Sequence, residues 1–179
     1  MDTDSLKNFV SEDNDGFIIN FGKIIGRFNC SYLGLKSIKG APTEVNGDFN
    51  CSGNKLTSLE GAPQKVGGGF YCQSSQLTSL KGAPREVVGN FYCSDNQFTS
   101  LKGAPQKVGG SFSCSDNQLT SLEGAPREVG RDFWCSNNQL TSLKGAPQKV
   151  GRDFRCYDNI DLHSLDGIGE VKGTIYKDF

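Results

Sequence analysis

A β-rich solenoid is the fold class this sequence predicts, and three observations carry the prediction. Seven cysteines, Cys30, Cys51, Cys72, Cys93, Cys114, Cys135 and Cys156, each stand 21 residues from the next. Phe28, Phe49, Phe70, Phe91, Phe112, Phe133 and Phe154 precede them by two positions, and Ile175 takes the following register. All six prolines, Pro42, Pro63, Pro84, Pro105, Pro126 and Pro147, fall in one further column. A period of this length means stacked coils, each burying its apolar face against its neighbours.

Aligned on cysteine, the unit reads V-G-x-x-F-x-C-S-x-N-x-L-T-S-L-x-G-A-P-x-x. F-x-C alternates as a strand does, with Phe and Cys inward and the residue between them outward. N-x-L-T-S-L turns the chain and adds two buried leucines. G-A-P rules out a long helix, since Gly and Pro interrupt one within a few residues. The pattern predicts one short parallel strand per coil, an extended or polyproline-like return on the convex side, and little helix. Residues 26–171 form seven coils. Residues 1–25 form an N-terminal cap, a short helix followed by a strand, and residues 172–179 a C-terminal strand or cap.

F-x-C-S-x-N-x-L resembles the core of the leucine-rich repeat, over residues 26–176. The closer resemblance is to the short repeats of secreted effectors of Gram-negative pathogens, where N-x-L-T-S-L-P is typical; similar repeats occur in bacterial and phage proteins. The resemblance implies a stack with a concave β-surface that binds proteins. Two departures stand out. Cysteine replaces the usual aliphatic residue before the turn. The asparagine column (Asn54, Asn96, Asn117, Asn138, Asn159) is broken by Leu33 and Ser75. In the family this asparagine bonds backbone groups of the neighbouring coil, so the coils of Leu33 and Ser75 need other partners. Every cysteine belongs to the repeat, so the ubiquitin-ligase activity of some effectors is not expected.

Equal spacing of the cysteines suits a ladder of buried thiols behaving as small hydrophobes. A disulfide framework or a metal–thiolate stack is the alternative, although no C-x2-C pair exists and His163 is the sole histidine. His163 itself reads as a surface residue of the irregular last turn. Another column alternates in sign: Glu44, Lys65, Glu86, Lys107, Glu128, Lys149 and Glu170. Stacked coils would place each charge between two opposite ones, which favours a single register. That column is scaffold.

The 19 Lys plus Arg and 20 Asp plus Glu leave a net charge of -1, which argues against a nucleic-acid binder driven by bulk electrostatics. No apolar run approaches the roughly 20 residues a membrane helix needs, and MDTDSLKNFVSEDNDG does not read as a secretory signal. The expectation is a cytoplasmic protein, of the producing or the host cell, with no membrane association.

Function should reside where the coils differ. The position between Phe and Cys reads Asn29, Asn50, Tyr71, Tyr92, Ser113, Trp134, Arg155, Tyr176. Two positions earlier stand Arg27, Asp48, Gly69, Asn90, Ser111, Asp132, Asp153 and Thr174, and Tyr157 follows the last cysteine. Arg131 and Arg152 appear where earlier coils carry Gly. Trp, Tyr and Arg combine apolar area with a polar handle and dominate binding hot spots. The candidate partner-binding residues are therefore Tyr71, Tyr92, Arg131, Asp132, Trp134, Arg152, Asp153, Arg155, Tyr157 and Tyr176. For Tyr71 and Tyr92, simple cross-strand packing is an equal reading.

No histidine beside a nucleophile, phosphate-cradling loop or paired carboxylate is visible, so neither enzyme, cofactor nor metal site is expected. A protein-binding module is the first reading, and the family resemblance implies inhibition of a host factor. Stacking of nucleic-acid bases or a nucleotide on the concave aromatics, with the arginines on phosphate, is the second. A structural or adhesive repeat protein is the third. An uncovered last strand would also allow self-association through the C-terminal edge.

Overall fold

Between each valine and the phenylalanine four positions later the chain turns a corner, and the two sides of that corner become separate sheets. This is seen in a computed structural model that describes residues 22–179 together with the backbone of an antiparallel strand pair, Glu12–Asp13 and Gly16–Phe17. The helix expected in the N-terminal cap lies outside the described residues. From Lys23–Ile24 to Ile175–Tyr176 the chain winds as a β-solenoid of about seven 21-residue turns, with no helix among the described residues.

Each coil contributes two strands rather than the single one expected. One eight-stranded parallel sheet, the valine ladder, runs from Lys23–Ile24 through Glu44–Val45 to Glu170–Val171. The other, the phenylalanine ladder, runs from Phe28–Asn29 through Phe49–Asn50 to Ile175–Tyr176. The segment expected as an extended or polyproline-like return is thus itself paired. Its β-branched valine points into the core and its charge points out, which is strand chemistry. The alternating charges sit opposite one another, Lys107 against Glu128 and Glu128 against Lys149. Lys23–Glu44 and Lys107–Glu128 close to 3.0 and 2.9 Å.

The repeated letters now have physical reasons. Phe, Cys, both leucines (Phe98 standing for the first of them in one coil), Val and Ala of the central coils are buried in one continuous core. Successive phenylalanine rings from Phe28 to Phe154 stack at 5.2–5.5 Å. Each L-x-G-A is a type II turn: the Ala62 N–H donates to the Leu59 carbonyl at 3.0 Å with Gly61 at φ +92. A Cβ on Gly61 would also approach the Ile38 carbonyl of the preceding coil to 2.7 Å. The serine before that leucine caps the turn, as where the Glu60 N–H donates to Ser58 Oγ at 3.0 Å.

The asparagine column reaches backwards. Asn117 Nδ2 donates to the Cys93 carbonyl of the previous coil and to the Cys114 and Ser115 carbonyls of its own, and Oδ1 accepts the Phe98 N–H. Because the reach is backward, the coil of Leu33 is served by Asn54, whose Oδ1 accepts the Leu33 and Leu35 N–H groups. Ser75 is a true gap: its Oγ has no partner, and the Leu56 N–H lacks the side-chain acceptor that its counterparts have.

All seven cysteines are free and buried. Several donate their thiol hydrogen to a carbonyl of the next coil, Cys93 to Ser113 at 3.2 Å and Cys135 to Arg155 at 3.3 Å. At the C-terminal end of the stack Ile168, Val171 and Ile175 are only partly buried. No helix of the described residues is long and apolar enough to cross a membrane.

Candidate functional site

The outward face of the phenylalanine ladder carries the residues that do not repeat. Because Phe and Cys of each F-x-C point inward, the middle residue must point outward, and the 21-residue period stacks these middle residues in one file. Tyr71 and Tyr92 meet edge to face at 5.5 Å. Tyr92 and Trp134 stack at 5.7 Å with planes 26° apart, although Ser113 lies between them in the file. The Arg155 guanidinium carbon then lies 5.4 Å from the Trp134 ring and 5.0 Å from the Tyr176 ring. Tyr71, Tyr92, Trp134, Arg155 and Tyr176 therefore form one unbroken strip along the stack.

Ser113 makes the strip continuous. It is buried beneath the rings, with its hydroxyl 2.5 Å from that of Ser94. Its small side chain lets Trp134 lean across a whole coil. Beside it lies a cleft of about 320 Å³, lined by Ser94, Ser113, Ser115 and Ser136 together with Asp116, Trp134, Arg155 and Tyr157. Buried side-chain atoms without a hydrogen-bond partner concentrate there. Among the described residues there are five, and Trp134 Nε1, Ser136 Oγ and Arg155 Nε all belong to this cleft. The Tyr92 hydroxyl is pushed above its ordinary range by burial first, then by Tyr71 and the Asp132 charge.

The other expected site residues are placed differently. Asp132 and Asp153 belong to a ladder that closes the corner between the sheets. Asp132 Oδ1 accepts the Asp153 N–H at 3.3 Å, and Asp153 Oδ1 accepts the Thr174 N–H at 3.0 Å. Asp48 and Asn90 serve Gly69 and Ser111 in the same way, at 2.7 and 2.9 Å. Asp132 also accepts the Ser111 hydroxyl at 2.9 Å. Both aspartates thus have a structural duty. Arg131 and Arg152 keep the corner's backbone bonds, donating to the Gly110 and Arg131 carbonyls, and expose their side chains. They flank the strip rather than joining it.

Tyr157 lines the cleft and is 40% exposed. The serines and Asp116 were not singled out as site residues. The period does place Ser94, Ser115 and Ser136 in the column after the cysteines on this face and Ser113 in the file between them, whereas nothing in the sequence marks Asp116. No group of His, Cys, Asp or Glu among the described residues could hold a metal ion. No protein-family model, curated protein or solved structure matches this chain.

Proposed function

We propose that this solenoid is a protein-binding module whose partner docks on the outward face of the phenylalanine ladder, centred on Tyr92, Trp134 and Arg155. The observation that supports this best is the unbroken strip of rings and guanidinium running from Tyr71 to Tyr176. Packing alone asks for no such run, since Asn29, Asn50 and Ser113 occupy the same file in other coils. Rigid aromatic surface around an arginine is hot-spot chemistry, where a few side chains carry most of the affinity.

A finer identity rests on the resemblance of the repeat to short leucine-rich repeats. On that reading the chain is a bacterial or phage effector that inhibits a host factor, in the cytoplasm of the producing or the host cell, by binding and without catalysis. Base stacking on Tyr71, Tyr92 and Trp134 is the second reading, favoured by the spacing of the rings and opposed by the acidic groups Asp116, Asp132 and Asp153 around them.

The deciding experiment is capture from bacterial lysate with the wild type and a Trp134→Ala, Arg155→Ala double variant of matched stability. Loss of a protein from the variant, by about 30-fold or more for hot-spot residues, supports docking here. Equal retention moves the site elsewhere. Capture of nucleic acid alone, weakened steeply by salt, favours the second reading.

A further inference from the structure

The cleft beside Trp134 is lined by residues whose N–H groups lack partners. Trp134 Nε1 and Arg155 Nε are buried N–H groups that nothing accepts, and Ser136, only 4% exposed, has an unpartnered hydroxyl. Of the acceptors nearby, Ser94 and Ser113 pair with each other, and Asp116 Oδ1 accepts Asn137 Nδ2 at 2.6 Å. Arg155 makes no ion pair with any described residue. Rings approach its guanidinium on both sides, from Trp134 and Tyr176. A guanidinium held between rings keeps its N–H edge for a planar acceptor.

We propose that this cleft binds a carboxylate presented by an acidic segment of the partner protein. Arg155 supplies the charge through its terminal guanidinium N–H groups, and Trp134 Nε1 and Ser136 Oγ lie shut off from solvent in the cleft wall behind it. The proposal rests on the protein-binding reading above and names the chemistry of the docked residue. A carboxylate suits the cleft better than a phosphate for two reasons. One arginine matches one negative charge, and the Asp116 carboxylate in the lining repels a dianion more than a monoanion. A guanidinium fork also pairs with a carboxylate in two parallel hydrogen bonds.

Trp134 is the only tryptophan of the chain, so its indole N–H resonance and fluorescence report on this cleft alone. The full chain is titrated with a blocked tripeptide carrying one glutamate, with its glutamine counterpart, and with inorganic phosphate. The glutamate peptide is expected to move the indole N–H saturably at about millimolar concentration. The glutamine peptide and the Arg155→Lys variant are each expected to lose about tenfold in affinity, because Lys keeps the charge but not the fork. Arg85→Lys, exposed beside the valine ladder, is expected to titrate like the wild type. Equal response to glutamine, tighter binding of phosphate, or an undiminished Arg155→Lys titration would overturn the proposal. The lysate capture separates the two claims. A protein held equally by wild type and Arg155→Lys sinks the carboxylate and leaves docking intact. If the wild type captures no protein, the docking reading falls, while the titration still decides the chemistry of the cleft.

Discussion

Trp134 rests against Tyr92 with ring centroids 5.7 Å apart, although a whole coil separates them in the stack. Two coils span about 10 Å, so the rings must lean toward each other across Ser113. A side chain larger than serine there would occupy the space they share. Ser113→Tyr is expected to displace Trp134 and change its near-ultraviolet circular dichroism. Overpacking this buried position should cost about 1–3 kcal/mol in urea unfolding. An unchanged tryptophan signal would show that the rings do not need the gap.

The backward-reaching asparagines predict opposite effects at two positions of one column. Asn117→Ala removes the acceptor of the Phe98 N–H and the donor to the Cys93 and Cys114 carbonyls. Leaving such groups unpaired in the interior should cost about 3 kcal/mol. Ser75→Asn restores the missing rung and should gain about 1 kcal/mol. Urea unfolding of both variants checks the pair, and a destabilised Ser75→Asn would refute the account of the ladder.

Glu128 is held below its ordinary value near 4.5 by its hydrogen bond to Lys107, then by the charges of Lys107 and Lys149. A folded-state value below the unfolded one contributes stability that is complete above the ordinary value and fades as pH falls through the lower one. Glu128→Gln should therefore unfold more easily than wild type at neutral pH. The gap should close as pH falls below the lowered folded-state value and shrink in high salt. A gap indifferent to both would remove the charge column from the list of register devices.

The thiols should be inert while the coils are stacked. Burial pushes Cys30 up to about 12, and Cys51, Cys93 and Cys135 rise well above the ordinary thiol range for the same reason first. Cys156, next to the last coil, is raised by burial and then the Asp178 charge, to about 11. Thiolate is the reactive form, so alkylation at pH 8 must wait for local opening. Mass spectrometry should find Cys156 labelled before Cys93 and Cys114. Uniform labelling within minutes would contradict the buried ladder.

The period alone determined the solenoid, the core columns and the file on which Tyr71, Tyr92, Trp134, Arg155 and Tyr176 stand. A 21-residue repeat says which residues become nearest neighbours, and alternation around F-x-C says which face water. Only the tertiary structure decided what those neighbours do. It turned the expected return segment into a second ladder, because the Val-centred pairs meet in register across every coil. It pointed the asparagines backward, so that Leu33 costs its coil nothing while Ser75 leaves a rung empty. It assigned Asp132 and Asp153 to backbone N–H groups at the corner and set Arg131 and Arg152 beside the strip. The contact of Tyr92 with Trp134 was invisible to the repeat, because it depends on how far two rings can lean over a small side chain. That is a matter of volume in three dimensions, and a period along the chain carries no such information.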